Sequence, residues 1–110
     1  MSISLEHIGS VAVVHVTGEV DMATESQLRA TVADAVSTGP AALVLDLTGV
    51  IFFASSGLHV LVDVQHDATA RGLDMLVVAD NRAVLRPMEI TGVDQLVTLV
   101  ASLDQALAHS

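Results

Sequence analysis

The stretch from Ala42 to Leu61, ALVLDLTGVIFFASSGLHVL, constrains the fold more than any other part of the chain. It opens on Leu43-Val44-Leu45, an apolar run without alternation. Such a run is covered on both faces, as in the central strand of a parallel sheet. Asp46 closes it, and a loop from Asp46 to Ser56 follows. A helix then starts near Ser56 and runs to Arg71. Leu58, Leu61, Val62 and Ala68 form its apolar stripe, with Val60 and Val64 alongside. His59, Asp63, His66, Asp67 and Ala70 trace the other side, and Gly72 ends it. Ser55 and Ser56 therefore stand at a helix N-terminus, where free N–H groups and the helix dipole favour an anion.

The rest of the chain supplies partners for that strand. Ser2 to Ile8 alternates and predicts a half-wet strand. Gly9-Ser10 predicts a tight II′ hairpin into a more buried strand, Val11 to Thr17. His15 inside it reads as a packing or hydrogen-bonding residue. Gly18 to Asp21 reads as a turn. Thr24-Glu25-Ser26-Gln27 is a capping-box pattern before a helix that buries Leu28, Val32, Ala35 and Val36 and stops at Gly39-Pro40. Met75 to Ala79 predicts another buried strand. Asn81 is placed to cap a third helix, which Pro87 should kink or restart. A short strand from Leu96 to Val100 precedes a last helix, opened by a capping box at Ser102 to Gln105.

The order β-β-α-β-α-β-α-β-α predicts an α/β fold: one domain over residues 1–110, an open, mostly parallel sheet and an antiparallel first hairpin. In such sheets sites form beyond the carboxyl ends of the strands. The loops after the second and third strands open on that same end, which groups Asp21 with Ser56.

Charge and composition remove several function classes. The net charge is −9 and the aromatic content 2%, which argues against nucleic acid and an anionic membrane surface. Without cysteine there are no disulfides, thiolate metal sites or thiol catalysis. The N-terminus has no signal-peptide pattern, and no apolar run reaches the ~18 residues of a membrane span. These features predict a soluble, cytoplasmic protein.

The motifs resemble those of the STAS domain, shared by anti-anti-sigma factors and the cytoplasmic tails of sulfate transporters. Asp46-Leu47-Thr48, Val50 and Ser55-Ser56-Gly57-Leu58 match its signature, and Gly18-Glu19-Val20-Asp21 resembles its first loop. Gly92-Val93-Asp94 and Ser102-Leu103 resemble its tail. One position departs: the Asp that usually opens the serine motif is Ala54, which has no carboxylate. The resemblance implies an anti-sigma factor antagonist that binds a kinase-type anti-sigma factor and frees a sigma factor. Phosphorylation of Ser56 would block that binding, and a phosphatase would restore it. Partner contact is expected from Asp21, Ser55, Ser56, Gly57 and His59. The other reading is a STAS module that is not switched by phosphate: a scaffold, a transport-complex component, or a binder of a small anion or nucleotide.

Plainer readings compete. Ser55 and Ser56 would serve as helix caps, and Asp21 as a turn former or cap. A hydrolase nucleophile elbow needs Gly two residues either side of the Ser, where Ala54 and Leu58 stand. His59, Asp63 and His66 share a helix face that reads as solvated rather than metal-binding. No catalytic residue, metal or cofactor is expected.

Overall fold

A computed structural model describes residues 1–109. Among them the strands are β1 (Ser2–Ile8), β2 (Val11–Val20), β3 (Ala42–Phe53), β4 (Asp74–Val78) and β5 (Thr98–Val100). The helices are α1 (Glu25–Ser37), α2 (Ser55–Arg71), α3 (Arg82–Thr91) and α4 (Leu103–His109), with a 3-10 turn at Val93–Gln95. The sheet runs β1-β2-β3-β4-β5; β1 and β2 are antiparallel and the other pairs parallel, as the sequence predicts. Gly9 turns the hairpin at φ 60°, and no described residue other than glycine has positive φ. That is the II′ pattern.

Two faces follow from strand alternation. One carries the main core: Val14, Val16 and Val20 of β2, Leu43, Leu45 and Phe53 of β3, and the apolar stripes of α1, α2 and α3. The other carries Val11, Val13, Ala42, Val44, Leu76 and Val78, with Ala106 of α4 against them. Further along this second face, apolar pairs give way to His15 beside Asp46.

The structure corrects several boundaries. β2 continues through the expected turn to Val20, and β3 through the expected loop to Phe53. Two register shifts make this possible, each with an extra residue on β3. Bulges of this kind bend a strand and absorb a poor strand former such as Gly49. Beyond the last β3–β4 pair, Asp46 with Val78, the Asn81 side chain takes over. Its Nδ2 donates to the Leu47 carbonyl at 3.1 Å and the Val50 carbonyl at 2.6 Å, so it staples β3 instead of capping α3. The Thr24 capping box is also unformed: the Thr24 hydroxyl folds back on Glu19 and Asp21. α3 runs unbroken through Pro87. β5 is shorter than expected, because Val93–Gln95 coils first and Leu96 ends that coil. The last box does form in part, with the Gln105 N–H donating to Ser102 Oγ at 3.2 Å.

Candidate functional site

The carboxyl ends of β2 and β3 lie side by side, since Val20 pairs with Phe53 and the Ala54 N–H donates to the Val20 carbonyl at 2.9 Å. Parallel pairing thus brings Asp21 and the start of α2 to one rim, where the sequence grouped Asp21 with Ser56. Asp21 builds its own loop: Oδ1 accepts from the Ala23 N–H at 3.0 Å, and its N–H donates to Thr24 Oγ1 at 3.0 Å. The turn-forming role is therefore present.

Ala54 is the N-cap of α2, extended at φ −82° and ψ 174°, and it offers no side-chain cap. Neither serine caps the helix. The Gly57 and Leu58 N–H groups reach the Ala54 carbonyl, which leaves the Ser55 and Ser56 N–H groups as the helix's free donors among the described residues.

The two serines differ sharply. Ser55 is exposed. Ser56 is 9% exposed, and its Oγ is shut off from solvent without a hydrogen-bond partner among the described residues. Its direction follows from helix period: Val60, four residues on, is wholly buried. Gly57 explains the depth. A Cβ there would come within 2.8 Å of the Phe53 ring and 3.0 Å of Val20, so only glycine lets α2 sit this close to the strand ends. His59 is exposed on the next turn. Asp63, of the row His59, Asp63 and His66, is held by Arg29 of α1 at 2.9 Å.

Sequence reasoning missed two features near this rim. Ile51 and Phe52, expected in a loop, are strand residues that project into solvent, as does Met22 beyond Asp21. The Phe52-Phe53 pair held the signal, because in a strand only one of two adjacent residues can face the core. The second feature is on the other sheet face. His15 bonds Asp46 Oδ2 through Nδ1 and Glu6 Oε1 through Nε2, both at 2.8 Å. Burial acts against a charge on this ring, but the bonds to Glu6 and Asp46 outweigh it and raise its pKa. Burial also opposes ionisation of Asp46, and bonds from Thr48 and His15 outweigh that and lower its pKa. His15 is thus a hydrogen-bonding residue, as its sequence context suggested.

Comparison with known proteins gives a consistent picture. The family model for the STAS domain matches residues 2–106. The anti-sigma-F factor antagonist RsfB of Mycobacterium tuberculosis is 33% identical over 102 residues, covering 93% of this chain and 82% of that protein. The crystal structure of an anti-sigma factor antagonist from Mycobacterium paratuberculosis superposes with a TM-score of 0.85 at 37% identity, covering 98% of this chain and 92% of that one. The phosphorylated form of the Bacillus cell fate determinant SpoIIAA shares the fold, with a TM-score of 0.73 at 17% identity over 98% of each chain.

Proposed function

The chain belongs to the STAS domain family, and we propose that it works within that family as an anti-sigma factor antagonist switched at Ser56. In this reading the unmodified protein is a single cytoplasmic domain that docks on an anti-sigma factor and so releases a sigma factor. The anti-sigma factor, itself a kinase, phosphorylates Ser56 and ends the association. A phosphatase resets the protein. Asp21, Ser55, Gly57 and His59 belong to the same docking rim.

The observation that carries this is the unpartnered Ser56 hydroxyl at the start of α2. A buried hydroxyl without a hydrogen bond costs about 1–3 kcal/mol, which alanine would avoid. A polar group kept at that cost calls for a use other than stability. Rotation about its single side-chain torsion, with fraying of the first turn of α2, brings the oxygen out to a kinase. The phosphate then meets the free Ser55 and Ser56 N–H groups and the positive end of the helix dipole. The fold survives, and the Ser56 side chain changes from neutral to nearly dianionic.

A charge buried in an interface without a counter-ion costs about 2–5 kcal/mol, roughly 30-fold or more in affinity. The test is to incubate the protein with candidate anti-sigma kinases and ATP, locate phosphate by mass spectrometry, and measure affinity before and after. Phosphate on Ser56 and a loss of that size are expected. Phosphate confined to the exposed Ser55, or unchanged affinity, would refute the switch. Ala54 supports a second reading, a docking module not switched by phosphate; kinase binding without any phosphate transfer would select it.

A further inference from the structure

We infer that Ile51 and Phe52, joined by Met22, are the anchors by which the partner holds this protein, and that the partner presents an apolar cleft to them. The inference rests on the docking role proposed above and adds the source of its affinity. Met22, Ile51 and Phe52 are 85%, 72% and 53% exposed, in a chain whose other apolar side chains are mostly enclosed. Their position is built by the strand. Val50 pairs with Gly18 and Phe52 with Glu19, so Ile51 is the extra residue of a bulge. Bulges re-aim side chains, and this one leaves Ile51 outside the ladder. Phe53 fills the core beneath Gly57, and Phe52 therefore points to the opposite face beside Glu19.

Size brings these residues within the partner's reach. The molecule measures 30 × 24 × 24 Å. A standard interface covers about 800 Å² on each protein, which is most of one end of so small a body. Phe52 is three residues from Ser55, at most ~11 Å along the chain. A partner seated over Ser55 can therefore extend over Phe52 and its neighbour Ile51, and Met22 follows Asp21 on the adjoining strand end. Glu19 stands in register with Phe52 on the face away from α2, so a partner Lys or Arg belongs opposite Glu19, beside the apolar cleft.

The experiment compares Ile51→Ser, Phe52→Ser and Met22→Ser with Ile90→Ser and Leu96→Ser. Ile90 and Leu96 are equally exposed, but lie on the return from α3 to the start of β5, at the opposite end of the sheet. Affinity for a purified anti-sigma kinase that binds the wild-type protein is the readout, with a melting curve for each variant. Ile51→Ser and Phe52→Ser should each lose at least about tenfold, Met22→Ser less, and the Ile90 and Leu96 variants nothing. If the rim variants bind like wild type, or the far pair loses as much, the anchors are wrong, while release by Ser56→Asp would still uphold the switch. If no anti-sigma kinase binds the wild type at all, the docking role fails and the anchors with it.

Discussion

His15 on β2 and Ser56 at the start of α2 are two inward-set polar side chains that the fold treats in opposite ways. Around His15 both ring nitrogens are engaged, and Asp46 Oδ1 also accepts from the Thr48 N–H at 3.1 Å and its hydroxyl at 2.7 Å. Three strands are thereby joined on the face that α4 leaves open. Around Ser56 the packing is tight, yet its hydroxyl bonds to nothing described. The first region uses polar groups to hold the fold. The second keeps a polar group that the fold does not use, and beside it leaves Ile51 and Phe52 in solvent. Stability and docking are thus separated in space, and substitution should read them apart.

The largest effect is expected from Asp46→Ala. It removes three hydrogen bonds and leaves His15 with one carboxylate. Partial exposure of the cluster moderates the loss to about 2–3 kcal/mol, a fall in Tm on the order of 10 °C by thermal melting. Next is Gly57→Ala, whose methyl must displace the buried Phe53 ring, at about 1–2 kcal/mol. Ser56→Ala has the opposite sign. Removing an unsatisfied hydroxyl should stabilise by about 1 kcal/mol and raise Tm by a few degrees. A loss of stability on Ser56→Ala would mean that the hydroxyl has a structural partner, and the contrast with His15 would disappear.

The pH dependence sharpens the comparison further. His15 has a raised pKa, so its contribution is complete below its ordinary 6.5 and fades as pH rises through the raised value. Asp46 has a lowered pKa, so its contribution is present above 3.8 and fades as pH falls through the lowered value. Stability should therefore decline on both sides of mildly acidic pH. His15→Gln should flatten the alkaline limb in melting curves from pH 6 to 9, and Ser56→Ala should leave that limb unchanged. An unflattened limb would show that His15 is not the titrating group.

What the sequence revealed follows the range of each interaction. Unbroken apolar runs and helix periods are local, so Leu43 to Leu45 as a central strand and the burial of Leu58 and Leu61 were legible. The joining of Asp21 to the serine motif was legible too, because parallel crossovers place those loops together. The extension of β3 was not. Asp46 to Ser56 reads as a loop, and only pairing with β2 through two bulges, with the distant Asn81 bonded to its carbonyls, keeps Leu47 to Phe53 in the sheet. The His15 cluster was equally hidden, because Glu6 and Asp46 reach it across the sheet and depend on register. The inward aim of Ser56 was available in part, four residues before Val60. That its hydroxyl has no acceptor among the described residues depends on tertiary packing, which the local sequence does not display.

Ala54→Asp carries the smallest effect and bears most directly on the second region. Ala54 already has the extended backbone of an N-cap, and the Ser56 N–H, two residues on, is free. A carboxylate there should accept that N–H and meet the helix dipole, stabilising by about 0.5–1 kcal/mol. The same N–H is one that a charge on Ser56 would use. Combining Ala54→Asp with Ser56→Asp therefore places two carboxylates on one pair of donors, and the double variant should melt below the temperature expected from adding the single effects. Strict additivity would mean that the charge at Ser56 does not face the helix terminus. The dianion would then lie elsewhere on the rim.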